Sequence, residues 1–214
     1  MQRLLDGYRR FHSHIFPQKR RLYAKLHEGQ NPDFMIITCS DSRVQPLEFT
    51  CMDPGDMFMD RSIGNIVPPP GAGEHEAEAV VEYAVVALGV KHIIICGHSQ
   101  CGAMKALLDP GSMQGMPAVA AWLKNAESTL AAVEKKYGHL EGQALLDAAT
   151  RENVLVQLEN LNKIPCVSER LAAGKLSLHG WVFELEHGQL DAYDPGIDRF
   201  IALPHAHRIR NRQA

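Results

Sequence analysis

The chain has 214 residues, 45% of them hydrophobic, with 22 Lys and Arg against 25 Asp and Glu and a formal net charge of -3. A chain of this length buries most of its apolar surface in one core, so a single domain spanning 1–214 is expected, and the balanced charge excludes the basic field that a nucleic-acid backbone requires. Five cysteines are too few and too scattered for the disulfide framework of a small secreted domain, and are expected as reduced thiols.

In chain order, residues 1–29 place Leu4, Leu5, Tyr8, Phe11, Ile15, Leu22 and Leu26 at roughly helical spacing, with Pro17 between two short helices. The segment is interrupted by charge every few residues and lacks the apolar stretch of a signal peptide. The apolar runs elsewhere are too short to span a bilayer, so a cytoplasmic protein without a membrane partner is expected. Residues 34–38 (FMIIT) and 57–59 with their flanks read as buried strands. Over 74–88, Val80, Val81, Ala84, Val85 and Leu88 share one helical face, and Gly89 is a stop signal. Residues 92–96 (HIIIC) have the continuous apolar character of a central parallel strand. Helices are predicted around 118–136 and 144–161, the second ending before Pro165, and a terminal hairpin over 176–185 and 189–193, turning at Glu186-His187-Gly188. The proline run Pro68-Pro69-Pro70 reads as a loop within one domain rather than a linker. The fold class expected is α/β, a mostly parallel sheet flanked by helices, with an N-terminal helical arm (1–29), a core (30–214) and a C-terminal hairpin.

Two motifs carry the chemistry: Cys39-Ser40-Asp41-Ser42-Arg43 after the first strand, and Cys96-Gly97-His98-Ser99-Gln100-Cys101-Gly102 after the central one. Both sit at the carboxyl ends of strands, the edge where open parallel sheets bind ligands. His98 and Cys101, three residues apart at a turn into a helix, can grip one ion, and Cys39 joins them only through the fold. Singly, each would be taken as a small buried hydrophobe or a satisfied polar residue. Together they predict a metal site, with zinc favoured, whose fourth position is open as in catalytic rather than structural centres.

At these residues the chain resembles the beta-class carbonic anhydrases, through CSDSR at 39–43, PGD-F at 54–58 and CGHS-CGA-K at 96–105. The similarity extends through Gly64-Asn65-Ile66-Val67, Glu82-Tyr83-Ala84, Arg151-Glu152-Asn153-Val154 and Leu178-His179-Gly180-Trp181. The resemblance implies reversible hydration of carbon dioxide to bicarbonate at one Zn2+ per chain, ligated by Cys39, His98 and Cys101. It implies an Asp41–Arg43 dyad beside the metal, with Asp41 released from Arg43 as a fourth ligand in a closed state. It also implies a homodimer, embraced by the N-terminal helices and assembled further into tetramers or octamers. By resemblance to the plant-like branch, Gln30 donates a hydrogen bond to a substrate oxygen, Phe58 and Tyr83 form apolar walls, and Gly102 lets the helix start approach the metal loop. Two thiolate ligands donate more charge than histidines, which predicts an alkaline optimum.

Relatives usually show an apolar residue followed by Arg-Asn where this chain has Asp60-Arg61-Ser62. Asp60 is expected to pair with Arg61 or a subunit neighbour. Cys51, Cys96 and Cys166 are assigned to packing, and His75, His205 and His207 are candidates for carrying protons at neutral pH. Carbonyl sulfide or carbon disulfide hydrolysis keeps the fold and zinc with another substrate. A metal-stabilised bicarbonate sensor is the non-enzymatic alternative, and it predicts the loss of Asp41, Arg43 or a ligand, all of which remain.

Overall fold

A computed structural model describes residues 1–73 and 75–203. The arm comes first: α1 (Gln2–Arg10), a π-helical stretch (Phe11–Ile15) and α2 (Phe16–Glu28) follow one another with helical backbone at every junction. The break expected at Pro17 is absent. Pro17 lies in the first turn of α2, and the wider π turn before it shifts the hydrogen-bond ladder so that the helix runs on past the missing N–H. No residue of the arm is buried.

The elements β1 (Phe34–Cys39), α3 (Pro46–Phe49), β2 (Met57–Ser62), α4 (Glu76–Glu82) with its π-helical continuation (Tyr83–Leu88), β3 (His92–His98) and α5 (Gly102–Leu108) build the first half of the core. Gly89 ends the fourth helix in the left-handed conformation, as its position predicts. The second half runs through α6 (Pro117–Leu123), α7 (Glu127–Tyr137), α8 (Gly142–Asn162), α9 (Pro165–Ala172), β4 (Ser177–Glu184), β5 (Gln189–Asp194) and β6 (Arg199–Ala202). The single helix expected over 118–136 is two. A 3-10 turn at Lys124–Ala126 divides it and, by stacking residues three apart, buries both Leu123 and Ala126. The terminal hairpin is extended by β6, and α9 fills the stretch after Pro165.

The strands form one sheet in the order β2-β1-β3-β4-β5-β6. The first four are mutually parallel and the last two antiparallel, so the sheet is mostly parallel, as expected. Alternate residues of the central strands face opposite layers. Met35, Ile37, Ile93 and Ile95 pack with Val81, Val85, Val154, Leu161 and Val167, while Ile36, Ile94 and Cys96 pack beside Leu47, Phe49, Trp181 and Phe183. Helix α8 approaches the sheet closely because it crosses glycines: a Cβ at Gly97 would lie 3.0 Å from Val154, and one at Gly180 2.9 Å from it. Thr38 is level with Cys96, which brings the last residues of β1 and β3 to one edge. Among the described residues no helix is long and apolar enough to cross a membrane.

Candidate metal centre

Cys39 ends β1, His98 ends β3, and Cys101 is the residue before α5. All three are buried, and their ligand atoms lie within 4.8 Å of one another. His98 Nδ1 is 2.8 Å from the Ser99 carbonyl, which assigns the proton to Nδ1 and leaves a lone pair on Nε2. Nε2 is buried without a hydrogen-bond partner. A buried, unpaired acceptor beside two sulfurs is costly by itself and fits a borderline metal such as zinc. The loop between the ligands is pinned to β4, since Ser99 N donates to the Phe183 carbonyl and Leu185 N donates to Ser99 Oγ, each at 3.0 Å. Gln100 reverses the chain with φ 56.

The two sulfurs perturb each other. The nearby Cys101 thiol, together with His98 and the Gly64 N–H 3.4 Å away, brings the Cys39 thiol down to about 4. The neighbouring Cys39 and burial push the Cys101 thiol up.

Asp41 stands at the rim, its Oδ2 3.9 Å from His98 Nε2. Arg43 grips it with two parallel bonds, Nε to Oδ1 at 2.9 Å and Nη2 to Oδ2 at 2.7 Å, and adds its backbone N–H to Oδ1 at 2.9 Å. The side-chain bonds from Arg43 hold the Asp41 carboxyl far below the usual carboxylate range. Arg43 Nη2 also donates to the Gln100 carbonyl at 3.2 Å, tying the two motifs together. Outside it opens a cleft of about 500 Å³ lined by Ser99, Gln143, Asp147 and Glu186 among others.

Sequence reasoning missed the part played by Arg61. Its guanidinium donates to the carbonyls of Cys39 (3.1 and 3.0 Å), Asp41 (2.7 Å) and Val44 (2.9 Å), bracing the loop that carries the first motif. Arg61 is thus engaged away from Asp60, and the side-chain pair expected between them is not formed. Burial pushes the Asp60 carboxyl above its usual value, opposed by a hydrogen bond from the Arg61 backbone N–H. The available signal was an arginine near the carboxyl end of the edge strand β2, where loop carbonyls gather.

Gly102 opens α5 beside Cys101, with nothing within 4 Å of where a Cβ would stand. Gln30, Phe58 and Tyr83 lie elsewhere. Phe58 is level with Met35 and Ser62 with Cys39, so Phe58 sits four residues down the strand, about 13 Å at the usual rise. Tyr83 packs against Phe58 with ring centroids 5.9 Å apart and is 52% exposed, and Gln30 precedes β1 at its amino end. His75 is exposed, 3.7 Å from the Glu78 carboxylate, and His205 and His207 lie outside the described residues. Cys51, Cys96 and Cys166 stand apart from the cluster, and burial pushes the Cys96 thiol up to about 12.

Residues 34–190 match the family model described as carbonic anhydrase. A carbonic anhydrase of Synechocystis sp. is 46% identical over 203 residues, covering 94% of this chain and 74% of the relative. One of Pseudomonas aeruginosa is 42% identical over 210 residues, covering 98% and 95%. Among solved structures, the beta-carbonic anhydrase CcaA superposes with a TM-score of 0.92 at 46% identity, over 95% of this chain and 99% of that one. A structure from Sordaria macrospora, described as a tetrameric beta-carbonic anhydrase, gives 0.81 at 30% identity, over 89% and 95%.

Proposed function

Because this chain belongs to the carbonic anhydrase family, in its beta class, we propose that it hydrates carbon dioxide at a zinc ion held by Cys39, His98 and Cys101, with Asp41 and Arg43 as its polar partners. The observation that carries the reading is the convergence of two thiols and an imidazole from three chain positions, with His98 Nε2 buried and otherwise unpaired.

Bound there, zinc supplies a Lewis acid that makes water acidic enough to act as a nucleophile near neutral pH. The residues around it do the rest. Held ionised by Arg43, Asp41 can only accept, so it takes a hydrogen bond from the attacking water and turns a lone pair of its oxygen toward carbon dioxide. The Arg43 fork keeps Asp41 at that angle and off the cysteines. Asp41 is too weak a base to keep the proton, which leaves through the cleft outside Arg43. Breaking the fork would free Asp41 to become a ligand itself and close the site.

Gln30, Phe58 and Tyr83 serve the reaction from a second copy of the chain. Within one copy they lie at the far end of β2 from Cys39, yet Tyr83 is exposed beside Val86, which is 58% exposed. The arm likewise presents Leu4, Tyr8 and Ile15 to solvent and buries none of them, an apolar surface that a second subunit covers. The tetrameric neighbour supports an oligomer.

The test is stopped-flow carbon dioxide hydration from pH 6.5 to 9 with zinc content measured on the same sample. Fast hydration needing about one zinc per chain, abolished in Cys101→Ser, is expected. A zinc-loaded protein inactive at every pH would overturn the reading.

A further inference from the structure

Gly64 is held from both sides by side chains outside the cluster of Cys39, His98 and Cys101. Its N–H points at Cys39 Sγ, 3.4 Å away. That N–H shares a peptide unit with the Ile63 carbonyl, which accepts from Trp122 Nε1 at 2.8 Å. The following carbonyl, of Gly64 itself, accepts from Asn153 Nδ2 at 2.9 Å. Asn153, 1% exposed, is fixed in turn because its Oδ1 accepts from Gln157 Nε2 at 2.9 Å and Thr129 Oγ1 at 3.2 Å. The turn has no slack: Gly64 has φ 73, and a Cβ there would stand 2.9 Å from that of Ala103, two residues past Cys101.

Apolar side chains could pack α8 and α6 against this loop without burying so many polar groups. A hydrogen-bond chain does something that packing cannot. Donation by Trp122 to the Ile63 carbonyl polarises the peptide and strengthens its N–H as a donor, while Asn153 keeps that N–H aimed. A stronger donor at the sulfur withdraws charge that the thiolate would otherwise give to a metal.

We infer that Trp122 and Asn153 are positioning residues that set how much charge Cys39 donates to the metal, acting through the Gly64 peptide. The inference rests on the metal reading above.

Cobalt-substituted protein tests it, since a thiolate-to-cobalt charge-transfer band reports sulfur donation directly. Trp122→Phe drops the N–H and keeps an aromatic ring; Asn153→Leu keeps the size and drops the donor. Both are expected to move the band to lower energy, because each leaves more charge on the sulfur for the metal. Leu123→Ala, which removes a buried neighbour with no bond to the loop, should leave the band in place. Absence of the band in the unaltered protein would sink the metal reading itself. A normal band that stays fixed in Trp122→Phe would overturn this inference alone, and if Asn153→Leu does not fold, Trp122→Phe decides.

Discussion

Replacing Arg61 by alanine removes four N–H···O contacts to the carbonyls of Cys39, Asp41 and Val44. Hydrogen bonds to a charged partner contribute about 1.5–3 kcal/mol each when the orphaned group stays buried. Arg61 is only half-buried, so water reaches part of the vacated space and about 1 kcal/mol per carbonyl is the better figure, giving a loss of about 3 kcal/mol. Against a usual folding stability of about 5–15 kcal/mol that is a large fraction. Urea unfolding should show a lowered midpoint at constant slope, and hydration should fall further than stability does, because the loosened backbone carries both Cys39 and Asp41. Arg61→Lys keeps the charge but offers a compact ammonium in place of a fork, so it should recover less than half of the loss. A change within about 0.5 kcal/mol for alanine, or full recovery by lysine, would refute the reasoning, since charge alone or water would then be sufficient for the loop.

Gly180→Ala should cost about 1–3 kcal/mol, because its Cβ would press on Val154 and Leu158 of α8; Val154→Ala in the same background should return part of it in urea melts. Arg43→Gln should return the Asp41 carboxyl to its ordinary range near about 4, readable by carboxyl NMR. The sign follows from the depressed folded value: the pair's stabilisation is present above the unfolded carboxylate pKa and is lost as pH falls through the lower folded one, so the variant, which lacks the pair, should be less stable than the parent at neutral pH and the gap should close in acid. Deleting residues 1–28 should reduce the assembly seen by sedimentation velocity, and an unchanged mass would remove the arm from the interface.

The parallel core was legible because its strands are buried on both faces, which writes runs such as Ile93-Ile94-Ile95 into the sequence. The helix stop at Gly89 was legible because only a left-handed residue fits there. Pro17 misled because a proline in a first turn is spelled the same as one that breaks a helix, and only the π turn before it tells them apart. The split of 118–136 arises from tertiary burial of Leu123 and Ala126, which leaves no local mark. β6 did have a signal, the Asp194-Pro195-Gly196 turn in which Gly196 N donates to Asp194 Oδ1, but its exposed, nearly patternless four residues hid the strand after it.

At the candidate metal centre the cluster of Cys39, His98 and Cys101 could be read from spacing and strand ends, whereas the residues that brace it could not. Arg43 and Arg61 are both arginines close to Cys39 in space, and their tasks differ by what lies within reach. Arg43 follows its carboxylate by two residues and folds back on it, a local arrangement that the motif encodes. Arg61 acts twenty residues from Asp41, across the pairing of β1 with β2, and reaches backbone that has no side-chain signature at all. Asp60, one residue away on the opposite face of the same strand, could not compete for it, because alternate strand residues point to opposite sides of the sheet. The expected Asp60–Arg61 pair failed for that geometric reason, and the same alternation is what delivers Arg61 to the three carbonyls.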